Sequence, residues 1–349
     1  MTREEGPHSH AQERTVDVRK KGEAVNRKLE VRLAALAALA LAAAAVVATA
    51  AARPAKEKGS LIWGQPLRNH PVHRIMQAGF LDECKKLNYH CEIVGNPSAT
   101  QVDIPQTEAL ADAALSRRHF DGAGVYAFTP ELYPYVRKLS KQGYPIVSWH
   151  ILIKKGTVPG LTAITGTNPV DYAKAVAKAI GAKIGGKGTV AITEGNFNTI
   201  ENLVAKTFTQ QMKQSYPNVK VLAPEVEGFE PTAAAAKAVS ILQAHPDVVA
   251  AFSTTGGGPE TWANAQRQAG RKLTIIAMDY VRQNLDLVKK GEVYAVVGQP
   301  LYQEGAKTAD LLAALAAKKK VPYYNFLPAP IITKDKVGPF YALLARAHQ

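Results

Sequence analysis

Residues 273–299 read LTIIAMDYVRQNLDLVKKGEVYAVVGQ, and the order of residue types in this stretch decides the fold. Leu273 to Met278 is an apolar run of strand length that stops at Asp279. The segment after it reads as helical and closes on Lys289-Lys290, where cations suit the negative end of a helix dipole. Gly291 breaks that helix, and Tyr294 to Val297 forms a second apolar run ending close to Gln299. Two apolar strands with a helix between them are the unit of a parallel sheet covered on both faces.

The same alternation extends outward in both directions. Upstream, strands are predicted at Thr189–Thr193, Val219–Leu222 and Val248–Phe252, after an Ala-rich helix from Pro169 to Ile184 that Gly185-Gly186 terminates. An earlier set runs strand 61–63, helix 72–87, strand 91–94, helix 104–117, strand 123–127, helix 131–142 and strand 144–149. In the first helix Ile75, Ala78, Phe80, Leu81 and Cys84 fall on one face. The expected fold is α/β, with two doubly wound parallel-sheet lobes. Ligands of such sheets bind beyond the carboxyl ends of the strands.

Composition agrees with an ordinary globular chain: 349 residues, 46% apolar, 21% charged, and two cysteines. Residues 1–58 stand apart. A polar leader precedes an unbroken apolar run, 33–52, which Arg32 and Arg53 flank and which ends in small residues. This is the pattern of a secretory signal peptide, with an uncleaved membrane anchor as the alternative. Export would expose Cys84 and Cys91 to an oxidising compartment, and the helix–strand turn between them could allow a disulfide. The formal charge is +14; residues 1–53 hold nine Lys/Arg and six Asp/Glu, which leaves +11 on the remainder. That excess is scattered and lacks a zinc-finger or helix-turn-helix pattern, so it is read as surface charge rather than a nucleic-acid footprint.

Enzyme signatures fail one by one. Gly181-x4-Gly186-Lys187 imitates a phosphate loop, but Gly188 replaces the hydroxyl residue and a strand follows it. Gly256-Gly257-Gly258 follows a strand yet lacks dinucleotide spacing, and His70 and His73 have no third metal ligand nearby. No Gly-x-Ser-x-Gly elbow or His-Glu-x-x-His motif occurs. Neither catalysis, nor a cofactor, nor a metal is expected. The strand ends instead offer hydrogen-bonding groups beside aromatic faces: Asn69 and His70; Phe128 and Thr129; Trp149 and His150; Asn202; Phe229; Thr255; Asp279; and Gln299. Amides and carboxylates suit hydroxyls, and flat rings suit the C–H face of a sugar or cyclic polyol. The expected ligand is a small neutral sugar or polyol.

Ile275-Ile276-Ala277-Met278-Asp279, then Ala295-Val296-Val297-Gly298-Gln299 with Gly305-Ala306, resembles the type I periplasmic sugar-binding proteins, the ribose- and galactose-binding components of ABC importers. Asn69-x-Pro71, Tyr144-Pro145-Ile146-Val147, Thr167-Asn168 and Ala244-His245-Pro246-Asp247-Val248 extend the resemblance over about residues 59–335. It implies a three-crossover hinge joining a first lobe (59–166 and 300–322) to a second (167–299 and 323–349), the two closing around ligand. It also implies that Asp279 clamps hydroxyls, that Gln299 touches ligand at a crossover, and that Phe229 and Asn202 take an aromatic-wall and a polar position.

Departures from the ribose binders are specific. His150-Ile151 replaces an Asp-Arg pair, Val72-His73 replaces stacking phenylalanines, Asn202 replaces an arginine and Thr255 an asparagine. Trp149, His70 and His150 are expected to rebuild the wall for another sugar or polyol, and the two histidines could make binding pH-sensitive. The implied role is that of a monomeric periplasmic solute-binding protein delivering to an ABC permease. A ligand-sensing module for a membrane receptor, or a binder of another small polar solute, is the alternative.

Overall fold

In the computed structural model, which describes residues 56–99, 101–196 and 199–347, the apolar strands and the helices between them build two sheets. The chain enters through β1 (Ser60–Gly64), α1 (Pro71–Leu87), β2 (His90–Val94), α2 (Ile104–Arg117), β3 (Gly122–Val125), α3 (Tyr133–Lys141), β4 (Ile146–Trp149) and β5 (Ala163–Thr167). It continues through α4 (Pro169–Lys183), β6 (Gly188–Glu194), α5 (Thr199–Ser215), β7 (Val219–Val221), β8 (Glu225–Val226) and α6 (Pro231–Ala244). β9 (Val248–Ser253), α7 (Gly258–Gln268), β10 (Thr274–Met278), α8 (Arg282–Lys290) and β11 (Ala295–Val297) complete that second series. The end of the chain holds α9 (Leu301–Ala316), β12 (Tyr324–Leu327), β13 (Ile331–Thr333) and α10 (Gly338–Arg346). The expected signal peptide lies outside the described residues, among which no helix is long and apolar enough to cross a membrane.

The first sheet has the order β12-β5-β4-β3-β1-β2 and is parallel throughout. The second runs β13-β11-β10-β9-β6-β7 with β8 also on β6, and only β13 is antiparallel. β3 and β4 are buried residue for residue, as strands covered by helices on both faces must be. Local signals set the boundaries. Asp103 and Asn168 accept backbone N–H bonds at the starts of α2 and α4, and Gly291 closes α8 in a left-handed conformation.

Four short strands, β5, β8, β12 and β13, were not expected, and two of them move a lobe boundary. Residues 163–167, read as connection, form β5, so Thr167 closes the first sheet instead of opening the second lobe. Tyr324–Leu327, expected in the second lobe, form the outer strand of the first sheet, with Tyr324 opposite Ile164 and Leu327 opposite Thr167. The last crossing therefore falls at Pro328-Ala329-Pro330, where two residues without N–H groups end the ladder before β13 joins β11.

α9 returns from the second lobe and lies closely against α1. The approach requires two glycines. A Cβ on Gly79 would fall onto the Tyr302 carbonyl, and one on Gly305 onto the Met76 carbonyl. At the far end of α1, Asn88 takes a left-handed φ of 60°, and Cys84 and Cys91 are joined by a disulfide with Cα atoms 6.2 Å apart.

Gly305→Ala is expected to lower unfolding free energy by about 1–3 kcal/mol, because two backbones must separate to admit the methyl group. The midpoint of urea unfolding measures this, and an unchanged midpoint would contradict the close packing. The Cys84→Ser/Cys91→Ser pair is expected to cost roughly 2 kcal/mol, the modest value for so short a closed loop. Comparing thermal melts of the two proteins without reductant checks it.

Candidate functional site

The carboxyl ends of both sheets carry the polar residues that interrupt the apolar strands. In the first lobe, Tyr126 follows β3 and stacks face to face on Trp149 at the end of β4, with centroids 4.3 Å apart and planes 21° from parallel. Phe128 stacks on the other side of Tyr126 at 4.7 Å, so three rings form a column from the buried Trp149 to the half-exposed Phe128. His73 meets Trp149 edge-on at 5.1 Å and Tyr126 at 5.9 Å, and His70 meets His73 at 5.6 Å. Gly124 leaves the space that the Trp63 indole fills beneath this column.

His150 and Asp279 end equivalent strands of the two lobes, β4 and β10. Both have left-handed backbones, φ 67° and 69°. Non-glycine residues in that region are uncommon and concentrate at functional sites. His150 Nδ1 lies 2.8 Å from Glu304 Oε2 on α9. Asp279 is 5% exposed, and its Oδ1 has no hydrogen-bond partner among the described residues. Asn284 fixes the turn by donating to the carbonyls of Gly256 (2.8 Å), Met278 (3.2 Å) and Asp279 (3.1 Å).

More carboxylates gather at the ends of β6 and β8. Glu227 accepts from the hydroxyls of Ser253 and Thr255. Glu201 accepts from Gly195 N and Thr254 Oγ1, each at 2.6 Å. Glu194 is fully buried, with neither oxygen partnered among the described residues.

The electrostatics follow from this crowding. Burial pushes the Asp279 carboxyl up to about 6; the His150 charge opposes this and Glu304 adds to it. Burial also opposes charge on His150, but the charge and hydrogen bond of Glu304, with Asp279 beyond, outweigh it and raise the imidazole. Burial lowers His70 and, more strongly, His73, and the neighbouring imidazoles add to both shifts. Glu194 is pushed up to about 7 by burial and by Glu201. Tyr126 of the first lobe and Tyr172 of the second both titrate higher, through burial and then the charges of Asp279, Glu304 and Glu201. Groups from both lobes thus act on one another across a single desolvated cleft.

Residues 65–320 match a family model described as the periplasmic binding protein domain. The chain belongs to that family. Solved structures with the same fold include a glucose-galactose binding protein of Geobacillus stearothermophilus, at 23% identity and TM-score 0.73, covering 81% of this chain and 100% of that one. An arabinose binding protein of the same organism shows 22% identity and TM-score 0.72, with coverage of 82% and 99%. A solute binding protein of Actinobacillus succinogenes with bound D-allose shows 19% identity and TM-score 0.71, with coverage of 81% and 100%. The fold is therefore the two-lobed α/β fold of periplasmic binding proteins, and its structural neighbours are sugar-binding components of ABC transporters.

Within this periplasmic binding protein the expected residues occupy different depths. Asp279, His150 and His70 sit in the cleft and act on one another electrostatically. Gln299 is buried at the second crossover, its amide 3.4 Å from Thr167 Oγ1 at the first. Trp149 is covered by Tyr126 and Tyr126 in turn by Phe128, so Phe128 is the exposed ring of the column. Thr255 spends its hydroxyl on Glu227 and Ser253. Phe229 is 67% exposed with its ring over Gly195, where a Cβ would collide with it. Thr129 is half-buried, whereas Asn69 and Asn202 are exposed.

Sequence reading missed Tyr126, Tyr172 and Glu304. Tyr126 is hidden inside an apolar run. Glu304 leaves a signal, since a carboxylate stands on the apolar face formed by Leu301, Gly305, Thr308 and Leu312.

Asp279 sets a test of stability against pH. Its folded value, about 6, lies above the 3.8 of an ordinary aspartate, so the folded protein binds the extra proton. The associated stability is present below about pH 4 and is lost as pH rises through about 6. Asp279→Asn is therefore expected to stabilise the unliganded protein near neutral pH by on the order of 2 kcal/mol, the gain vanishing toward pH 4. Asparagine also tolerates the left-handed backbone. Melting curves across this range check it; a variant less stable at neutral pH would show that the carboxylate is satisfied.

Proposed function

We propose that the chain is an extracytoplasmic solute-binding protein that captures a sugar or polyol between its lobes and delivers it to an ABC permease. The observation that carries this reading is the buried Asp279 carboxylate, whose Oδ1 has no partner among the described residues, together with the ring column that Phe128 ends and the His150–Glu304 pair. A carboxylate can accept two neighbouring hydroxyls, and a ring face covers the C–H side of a pyranose or cyclitol. Export is supported by the signal-like leader and by the Cys84–Cys91 disulfide, a bond that persists in oxidising compartments. Gln299 and Thr167, bonded across two crossovers, lie where a hinge between the lobes would flex.

The sugars named for its structural neighbours, glucose, galactose, arabinose and allose, define the chemistry to test first. A ligand that binds only the folded protein raises its melting temperature. A screen of pentoses, hexoses, inositols and alditols is expected to give at least one clear shift. Silence from all of them beside a response to amino acids or nucleosides would overturn the sugar assignment. For the responding ligand, Asp279→Ala is expected to weaken binding by about 100-fold, the range for losing a charge-assisted hydrogen bond in a desolvated site. Calorimetric titration measures it; unchanged affinity would remove Asp279 from the site.

A further inference from the structure

The cleft's charges do not balance. Asp279 and Glu304 are almost wholly buried, and Asp279 Oδ1 and Glu304 Oε1 each lack a hydrogen-bond partner among the described residues. The two carboxylates repel, and among the described residues the group that offsets the Asp279 charge is His150, already bonded to Glu304 Oε2. Glu194 adds a third buried carboxyl, with neither oxygen partnered among the described residues, and Glu201 bears on both Glu194 and the cleft tyrosines. The Lys and Arg ion pairs among the described residues are exposed or half-exposed, and none includes Asp279, Glu194, Glu227 or Glu304.

A neutral hydroxyl can donate to one of these oxygens but leaves the excess negative charge desolvated. Uncompensated buried charge is among the costliest arrangements in a protein. An ammonium group carries three donors and a full positive charge. The outer face of Phe128, which ends the ring column, attracts cations as well as C–H groups.

We propose that the preferred guest of this cleft is a polyhydroxylated ring bearing a protonated primary amine, an amino sugar or aminocyclitol, with its ammonium set between Asp279 and Glu304. The inference rests on the solute-binding reading above and narrows its substrate class. The two free oxygens take the ammonium, the ring hydroxyls meet the remaining polar groups, and the aromatic column covers one face. Glu304 then has two duties: Oε2 orients His150, and Oε1 selects the amine.

The test uses matched probes on the purified protein: glucosamine against glucose and N-acetylglucosamine, galactosamine against galactose and N-acetylgalactosamine, and an inosamine against inositol. Affinities are read by calorimetry at near-neutral pH. At least one amine is expected to bind tenfold or more tightly than both its hydroxyl and its N-acetyl counterpart, roughly the effect of a charge-assisted bond in a desolvated site. Glu304→Gln is expected to remove most of that preference while binding of the hydroxyl counterpart stays measurable.

Should Glu304→Gln fail to fold, Asp279→Asn, expected to be the more stable variant, must show the same loss of preference. A neutral sugar or polyol that binds as tightly as its amine overturns the inference and leaves the solute-binding reading standing. Equal binding of amine and N-acetyl forms overturns it too, because charge would then play no part. Silence from amines and neutral compounds alike overturns both readings.

Discussion

The contact of α1 with α9 through Gly79 and Gly305 is the constraint on which the rest of the structure depends. α9 is the helix that re-enters the first lobe after Gln299, and it must lie close enough to α1 for backbone to meet backbone. Only then does Glu304, the residue before Gly305, reach His150 at the end of β4. A packing requirement met by two missing methyl groups thereby becomes an electrostatic feature of the cleft. The same helix connects the crossover at Gln299 to the edge strand β12, so the two lobes share one mechanical element.

The cleft is organised by opposition. Its first-lobe side is aromatic and carries the His150–Glu304 pair; its second-lobe side is acidic and rich in hydroxyls. His150 and Asp279 close the matching strands in matching strained conformations, which aims both side chains off the ends of their sheets. Two of the second-lobe carboxylates are held by their own neighbours: Glu227 by Ser253 and Thr255, Glu201 by Gly195 and Thr254. Asp279 and Glu194 have no side-chain bond of this kind among the described residues, and Glu227 keeps one oxygen, Oε2, unpartnered there.

Much of this was legible in the sequence where a periodic signal was strong. The helix expected at 104–117 begins and ends at those residues, because Asp103 caps it and its apolar spacing is regular. The five strands expected in the second sheet stand within one or two residues of expectation, since buried parallel strands read as unbroken apolar runs, whereas the short β8 and β13 were not expected. β5 escaped because Thr165-Gly166-Thr167 lacks such a run, and its burial comes from the neighbouring strands. β12 escaped because prolines on both sides disguise its four residues. In the cleft, Asp279 and His150 were legible as polar residues ending apolar strands. The Glu304–His150 pair, 154 residues apart in the chain, was not, because only the helix contact creates it. That Trp149 lies behind Tyr126 was not legible, because stacking order is a tertiary property.

β12 has a meaning beyond its place in the hinge. It is the outermost strand of a parallel sheet, and its Tyr324 and Phe326 rings stack on each other while remaining about two-fifths exposed. An open strand with aromatic side chains is a template on which another chain could add itself. Here the template is only four residues long, with Pro322 before it and Pro328 and Pro330 behind. The Asn325 amide is turned inward onto the carbonyls of Ile164 and Pro322, and the Tyr324 hydroxyl is tied to Lys155 N. An incoming strand would find too short a ladder and no way to lengthen it, so the prolines that end the last crossing also blunt the edge against self-association.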